Sequence, residues 1–193
     1  MKSGLRVVYG PARLQARVAK MGRAISRDYR GRRLDVVVVM ENAFVFAADL
    51  IRHISVPVVC HFVREELRDV EYSGYKRREV FFTSRPQLEG RNVLLLDAVL
   101  ESGVTQEFLV RRILDSEPRS LRLAVLLDKP HERKVDIHAH YFGFAPASNN
   151  LVGYGLSGSQ GQGRNLRCIA TRAAARASGK RRTRRTKKYT APA

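Results

Sequence analysis

Apolar and polar positions along the chain alternate between two periods. From Ala12 to Tyr29, Leu14, Val18, Met21 and Ile25 recur at helical spacing with basic and polar residues between them, which predicts a first helix that stops near Gly31. Leu34 to Met40 (LDVVVVM) is a continuous β-branched run, the pattern of a strand covered on both faces. Phe44 to His53 returns to helical spacing, and Val56 to Val63 predicts a second strand. The polar stretch Arg64 to Arg78 reads as a mobile loop or strand edge, and Glu79 to Thr83 as a short extended piece. Val93 to Asp97 predicts a buried strand ending in an acid, Gln106 to Leu114 a helix, and Leu121 to Leu127 a further strand. Val152-Gly-Tyr-Gly-Leu156 begins the last segment, which Leu166 to Ala170 closes. Strands alternating with helices predict an α/β fold, a mainly parallel twisted sheet flanked by helices, with ligands beyond the carboxyl ends of the strands.

One segment carries chemistry. After Asp97, the residues Glu101, Ser102, Gly103, Val104 and Thr105 lead straight into the helical pattern. Small residues, hydroxyls and backbone N–H groups therefore gather at a helix N-terminus, where a phosphate binds well. The plainer alternative is an ordinary strand-to-helix turn of a parallel sheet.

Composition adds a second feature. At 193 residues and 44% hydrophobic content, one full core is expected, over residues 1–171. Residues 172–193 hold nine of the 36 Lys and Arg and none of the 18 acids, so half of the +18 net charge lies in this segment. The expectation is a disordered basic tail. Such a segment gains affinity for RNA or DNA by releasing condensed counterions, or simply keeps the chain soluble. Cys60 and Cys168 lie far apart in apolar stretches, as buried thiols of a reducing compartment would, so a cytoplasmic protein is expected. No run of about 18 apolar residues spans a bilayer, so neither export nor membrane insertion is expected.

Several words in order give a resemblance over residues 12–170. They are Gln15-Ala-Arg-Val-Ala-Lys-Met-Gly22, Ala43-Phe-Val-Phe-Ala-Ala-Asp-Leu50, Gly90-Arg-Asn-Val-Leu-Leu-Leu-Asp97, Ser102-Gly-Val-Thr105, Leu126-Leu-Asp-Lys-Pro130, Tyr141-Phe-Gly-Phe144 and Val152-Gly-Tyr-Gly-Leu156. Together they resemble the hypoxanthine-guanine phosphoribosyltransferases of the type I phosphoribosyltransferase fold. The resemblance implies a small hood beside the main sheet, a homo-oligomer, and phosphoribosyl pyrophosphate and a 6-oxopurine as partners. It implies Asp97 as the acid that holds the ribose, Ser102 to Thr105 as the cradle of the 5′-phosphate, and Lys129 as the donor to the 6-oxo group. Glu101 stands where the family carries an Asp near the purine N7 and is the candidate base. Leu151, with Val152 beside it, takes the place of the aromatic ring that covers the purine. The loop Arg68 to Arg78 corresponds to a closing flap, whose Lys76, Arg77 and Arg78 are candidates to supply positive charge.

The same resemblance locates three departures. Ala98 replaces the second ribose acid, Glu41-Asn42 replaces a Lys-Gly pair whose unusual peptide geometry serves pyrophosphate, and Ser157 replaces an acid that helps hold magnesium. A carboxylate at Glu41 repels a polyanion. Mg²⁺ is the implied cofactor with Asp97 as its candidate ligand, weakened by Ala98 and Ser157. His138 and His140 alternate as if on one strand face, but no cysteine or acidic cluster accompanies them to make a metal site. No Gly-x-Ser-x-Gly elbow or Walker A loop occurs.

Two functions remain open on these grounds. One is an enzyme of purine salvage that transfers a 5-phosphoribosyl group to hypoxanthine or guanine. The other is a catalytically impaired member of the fold that senses nucleotides or binds RNA as a regulator.

Overall fold

A computed structural model describes residues 4–72, 75–82, 86–158 and 161–172. Its main sheet has six strands in the order β4-β3-β2-β5-β6-β7. These are β2 (Leu34–Met40), β3 (Val58–Tyr72), β4 (Tyr75–Phe82), β5 (Asn92–Leu100), β6 (Ser120–Asp128) and β7 (Tyr141–Phe144). All neighbours run parallel except β3 and β4, which pair antiparallel. A second sheet of three strands, β1 (Leu5–Tyr9), β9 (Ile169–Arg172) and β8 (Leu151–Val152), is the small hood.

Three helices cover the main sheet: α1 (Pro11–Asp28), α2 (Phe44–Ile51) and α3 (Val104–Leu114). The continuous apolar run of β2 is explained by its two faces. Val36 and Val38 pack into the core under α1 and α2, while Val37 and Val39 pack into the core under α3 with Leu95, Leu109 and Ile113. Gly22 lets α1 approach α2 closely, since a Cβ there would stand 2.4 Å from His53 Cβ.

Several boundaries differ from the sequence expectation. The strand predicted to end at Asp97 continues to Leu100, because Val99 and Leu100 keep pairing with Leu127 and Asp128 of β6. Asp97 is therefore an in-sheet residue, not a strand terminus. Of the two readings of Arg64 to Arg78, a mobile loop or a strand edge, the structure has the second: β3 and β4 pair at the edge of the sheet, with Glu71, Val70 and Asp69 facing Lys76, Arg77 and Arg78 in register. The side chains of Lys76, Arg77 and Arg78 lie outside the described structure, as do Thr83 and residues 173–193 of the basic tail. His138 and His140 precede β7 rather than sharing a strand, because pairing with β6 begins only at Tyr141. His140 Nδ1 instead accepts the Leu123 N–H at 3.1 Å. Cys60 and Cys168 are free thiols, each only partly buried. Strands β1 and β7 were not evident from patterning.

Candidate active site

The chain leaves β2 toward β3 and β4, then returns to the other side of β2 as β5. Strand order reverses there, and a crevice opens beyond the carboxyl ends of β2 and β5. Val39, Met40, Asn42, Asp97, Val99, Thr105 and Gln106 line a cavity of about 140 Å³ at its floor. A larger hollow of about 840 Å³, between Pro86–Arg91 and Asp115–Glu117, lies at the amino ends of β5 and β6, the end where parallel sheets do not place their ligands.

The segment from Glu101 to Thr105 is shaped as an anion cradle. Gly103 caps α3 with φ 83°, a left-handed conformation that an L side chain rarely adopts, and a Cβ there would stand 2.6 Å from Ile137 Cγ2. The first hydrogen bond of the helix runs from Glu107 N–H to Gly103 O at 2.8 Å. The N–H groups of Val104, Thr105 and Gln106 therefore have no acceptor inside the helix. Ser102 and Thr105 are half-buried, and Ser102 Oγ lies 3.5 Å from Val104 N. A second layer props the turn: Lys134 N–H donates to Ser102 O at 2.9 Å, and Arg133 donates to Glu101 O at 2.6 Å. Arg133 is itself paired with Asp128.

Asp97 is 8% exposed and does not hang free in the crevice. Its Oδ1 accepts Ala98 N–H, and its Oδ2 accepts Gln106 Nε2, both at 2.6 Å. Gln106 also donates to Val99 O at 3.2 Å. The carboxylate is thus fixed in place by groups of its own strand and of α3.

Glu101 and Lys129, 28 residues apart, meet at 2.5 Å. The reason is local: Lys129 N–H donates to Leu100 O at 2.9 Å, which sets the ends of β5 and β6 side by side. The buried Lys129 ammonium also donates to Asn149 Oδ1 at 3.0 Å and lies 3.5 Å from Glu132. The hydrogen bond from Lys129, then that with Glu132, holds the Glu101 carboxyl below the usual carboxylate range. Glu101 is therefore an ionised acceptor at neutral pH.

Glu41 sits on the opposite lip, next to a cis Met40–Glu41 peptide bond. Its carboxylate is not bare: Arg64 lies 2.8 Å from Oε1 and Arg164 3.3 Å from Oε2. Arg164 also donates to Asn42 Oδ1 and Gly155 O, both at 2.7 Å. Arg64 and Arg164 are thus already engaged by an internal anion.

Leu151 and Val152 lie on β8, where consecutive side chains point to opposite faces. Val152 is buried over the turn of Gly158 and Gly163, while Leu151 is half-buried and follows Asn149 and Asn150. Ser157 follows the Gly153–Leu156 turn and is partly exposed.

The structure thus gathers Asp97, Glu101, Ser102, Gly103, Val104, Thr105 and Lys129 around the ends of β5 and β6. Gln106, Asn149, Arg133, Arg64 and Arg164 were missed by sequence reasoning. Gln106 carried a signal, being a polar residue at an inward helical position between Gly103 and Leu109; the others are remote in sequence from the groups they touch.

Comparison with known proteins is consistent along most of the chain. Residues 11–157 match the family model described as phosphoribosyl transferase domain. The hypoxanthine phosphoribosyltransferase of Salmonella typhimurium is 32% identical over 163 residues, which is 83% of this chain and 91% of that protein. The hypoxanthine-guanine phosphoribosyltransferase of Mycobacterium tuberculosis is 33% identical over 149 residues, 74% of each chain. Among solved structures, a hypoxanthine-guanine phosphoribosyltransferase from Bacillus anthracis superposes with a TM-score of 0.77 at 33% identity, covering 88% of this chain and 97% of that one. A hypoxanthine phosphoribosyltransferase from Staphylococcus aureus superposes with a TM-score of 0.78 at 28% identity, covering 87% and 91%.

Proposed function

The chain belongs to the phosphoribosyltransferase family, within its hypoxanthine-guanine branch, and from that premise we propose that it transfers the 5-phosphoribosyl group of phosphoribosyl pyrophosphate to N9 of hypoxanthine or guanine. In this reaction the ribose C1–oxygen bond to pyrophosphate breaks, the C1–N9 bond forms, and the base gives up a proton. The N–H groups of Val104 to Gln106, with the Ser102 and Thr105 hydroxyls, take the 5′-phosphate. Asp97 accepts from the ribose hydroxyls, and its two fixed hydrogen bonds orient it for that role. Lys129 donates to the 6-oxo oxygen of the base, the half-buried Leu151 provides apolar cover while Val152, packed over Gly158 and Gly163 on the opposite face, supports it from behind, and Lys76, Arg77 and Arg78 belong to the hairpin that closes over the crevice. Glu101 accepts the proton from the purine, a role that needs a carboxylate ionised at neutral pH. The observation that carries the reading is the 2.5 Å contact of Glu101 with Lys129 beside the open N-terminus of α3.

Magnesium fits the protein's own donors poorly. Both Asp97 oxygens already accept hydrogen bonds, Ala98 and Ser157 offer no carboxylate, and among the described residues no group of three or more His, Cys, Asp or Glu is placed to hold a metal. No step is therefore assigned to a protein-held metal ion. The reading places the folded unit, which ends one residue later than the expected 1–171 because Arg172 closes β9, as the catalytic part of a cytoplasmic homo-oligomer, with the rest of 172–193 as an appended basic arm. Among the described residues no helix is long and apolar enough to cross a membrane.

A second reading has one observation in its favour. The Glu41 carboxylate, held by Arg64 and Arg164, competes with pyrophosphate, so the fold would keep purine nucleotides without turning over. One assay separates the two. Purified full chain with Mg²⁺, phosphoribosyl pyrophosphate and each of hypoxanthine, guanine and xanthine is expected to release pyrophosphate with at least one base. Nucleotide binding without turnover on any base makes the second reading the correct one.

A further inference from the structure

We propose that the solvent face of α1, together with Phe142, is a binding surface for single-stranded nucleic acid, separate from the crevice. Residues 1–27 contain seven Lys and Arg and no Asp or Glu. Five of these, Arg13, Arg17, Lys20, Arg23 and Arg27, lie on α1. At 100° per residue they fall within an arc of about 120° and extend over about 21 Å of helix. The apolar side, Leu14, Val18, Met21 and Ile25, is buried in the core. Ala16 and Ala24 separate the cations without shielding them.

This arrangement works against the helix that carries it. Each cation is three or four residues from the next, so the stripe holds four successive like-charge neighbours that repel one another along the helix surface. Arg13 also lies near the positive end of the helix dipole, and the first turn holds no acid to offset it. Asp28, the acid at the far end, meets only the last cation, Arg27, at 3.7 Å, and is held more closely by Arg122 at 2.7 Å and by the Tyr141 hydroxyl at 2.8 Å. Contacts within the fold account for Arg13, Arg17 and Arg27 singly, but not for a row that adds Lys20 and Arg23 between them. A polyanion does, because phosphates neutralise the cations and release counterions.

A second feature points to nucleic acid among polyanions. Phe142, on edge strand β7, is 41% exposed. Arg17 places its guanidinium 5.8 Å from the Phe142 ring centre and donates to Phe142 O at 2.9 Å. Beside it, Arg13 stacks over Tyr9 and Phe144, whose rings are 4.1 Å apart. An exposed ring beside a row of cations is the pairing that takes a base and its phosphates together. A membrane surface would meet the cations alone, since the apolar side of α1 that could insert is already covered by the core, whereas a single strand can use the exposed ring as well. The end of the described chain lies close by, since Arg172 pairs with Leu5 of β1, the strand that leads into α1. The basic segment that follows Arg172 in sequence begins from this same sheet.

The test is fluorescence anisotropy of a labelled oligouridylate with the full chain at several salt concentrations. Lys20→Gln/Arg23→Gln/Arg27→Gln is expected to weaken binding by about tenfold or more and to make the salt slope shallower by about 2. The same variant is expected to raise Tm, because it relieves repulsion within α1. Phe142→Ala is expected to weaken binding about tenfold while the salt slope stays unchanged. A control, Arg91→Gln/Arg112→Gln/Arg119→Gln, removes as much charge from exposed positions elsewhere. Equal loss in the control and the stripe variant overturns the proposal, as does binding to phosphatidylserine vesicles without binding to the oligonucleotide. So does full binding by the stripe variant, which would assign the affinity to the basic segment alone.

Discussion

Gln106 Nε2 lies 2.6 Å from Asp97 Oδ2 and ties the first turn of α3 to the middle of β5. Through this bond the proposed phosphate cradle and the proposed ribose acid are positioned as one unit. Gln106→Leu keeps the volume and removes one hydrogen bond to a buried carboxylate. The expected outcome is a loss of about 1.5–3 kcal/mol in urea unfolding, with a raised KM for phosphoribosyl pyrophosphate. Unchanged stability would mean that Asp97 needs no such tether.

Glu101 supplies a prediction with a definite sign. Its carboxyl is held below its ordinary value of 4.5 by Lys129 and Glu132. A group with a lowered folded-state value is ionised above that value and loses its charge as pH falls through it. Any acid limb of the activity profile assigned to Glu101 is therefore expected at lower pH than an ordinary glutamate would give. Glu101→Gln is expected to reduce kcat by about 10²–10⁴-fold and to abolish that limb.

Glu41 is expected to lower affinity for pyrophosphate. Removing it in Glu41→Gly frees two guanidinium groups from an internal anion. Charge-assisted hydrogen bonds contribute about 1.5–3 kcal/mol, so pyrophosphate inhibition is expected to tighten about 10- to 100-fold. A weaker or unchanged inhibition constant would show that Glu41 orders Arg164 for the ligand instead of competing with it.

Gly103→Ala tests the cradle from below. A left-handed φ of 83° and a Cβ only 2.6 Å from Ile137 Cγ2 make the substitution doubly unfavourable. A loss of about 1–3 kcal/mol in stability is expected, with weaker binding of purine 5′-monophosphates by calorimetry.

Chelation gives a simpler check. Because the donors around Asp97 are already engaged, the Tm of the substrate-free chain is expected to be the same with Mg²⁺ and with EDTA. A clear rise in Tm with Mg²⁺ alone would reveal a protein-built metal site.

Much of this arrangement was legible in the sequence because buried parallel strands are written in β-branched runs and helices in the 3.6 period. The Leu34–Met40 run and the Leu14, Val18, Met21, Ile25 series gave β2 and α1 almost to the residue. The extent of β5 was not legible, since Asp97 looks like a terminus until its neighbour β6 supplies pairing beyond it. The hairpin of β3 and β4 was hidden for a related reason: its polar residues carry no apolar alternation, and only cross-strand pairing makes them strands. In the site, Ser102-Gly103 announced the glycine-capped start of α3 locally. The clamp of Arg164 on Glu41 spans 123 residues and depends on the turn at Gly155, so nothing local announced it.

The most direct measurement is a crystal structure of the full chain with inosine monophosphate. The account predicts the 5′-phosphate against the N–H groups of Val104, Thr105 and Gln106, with the purine 6-oxo oxygen within hydrogen-bond distance of Lys129 Nζ. A nucleotide bound at full occupancy elsewhere, with that helix end holding only solvent, would contradict it.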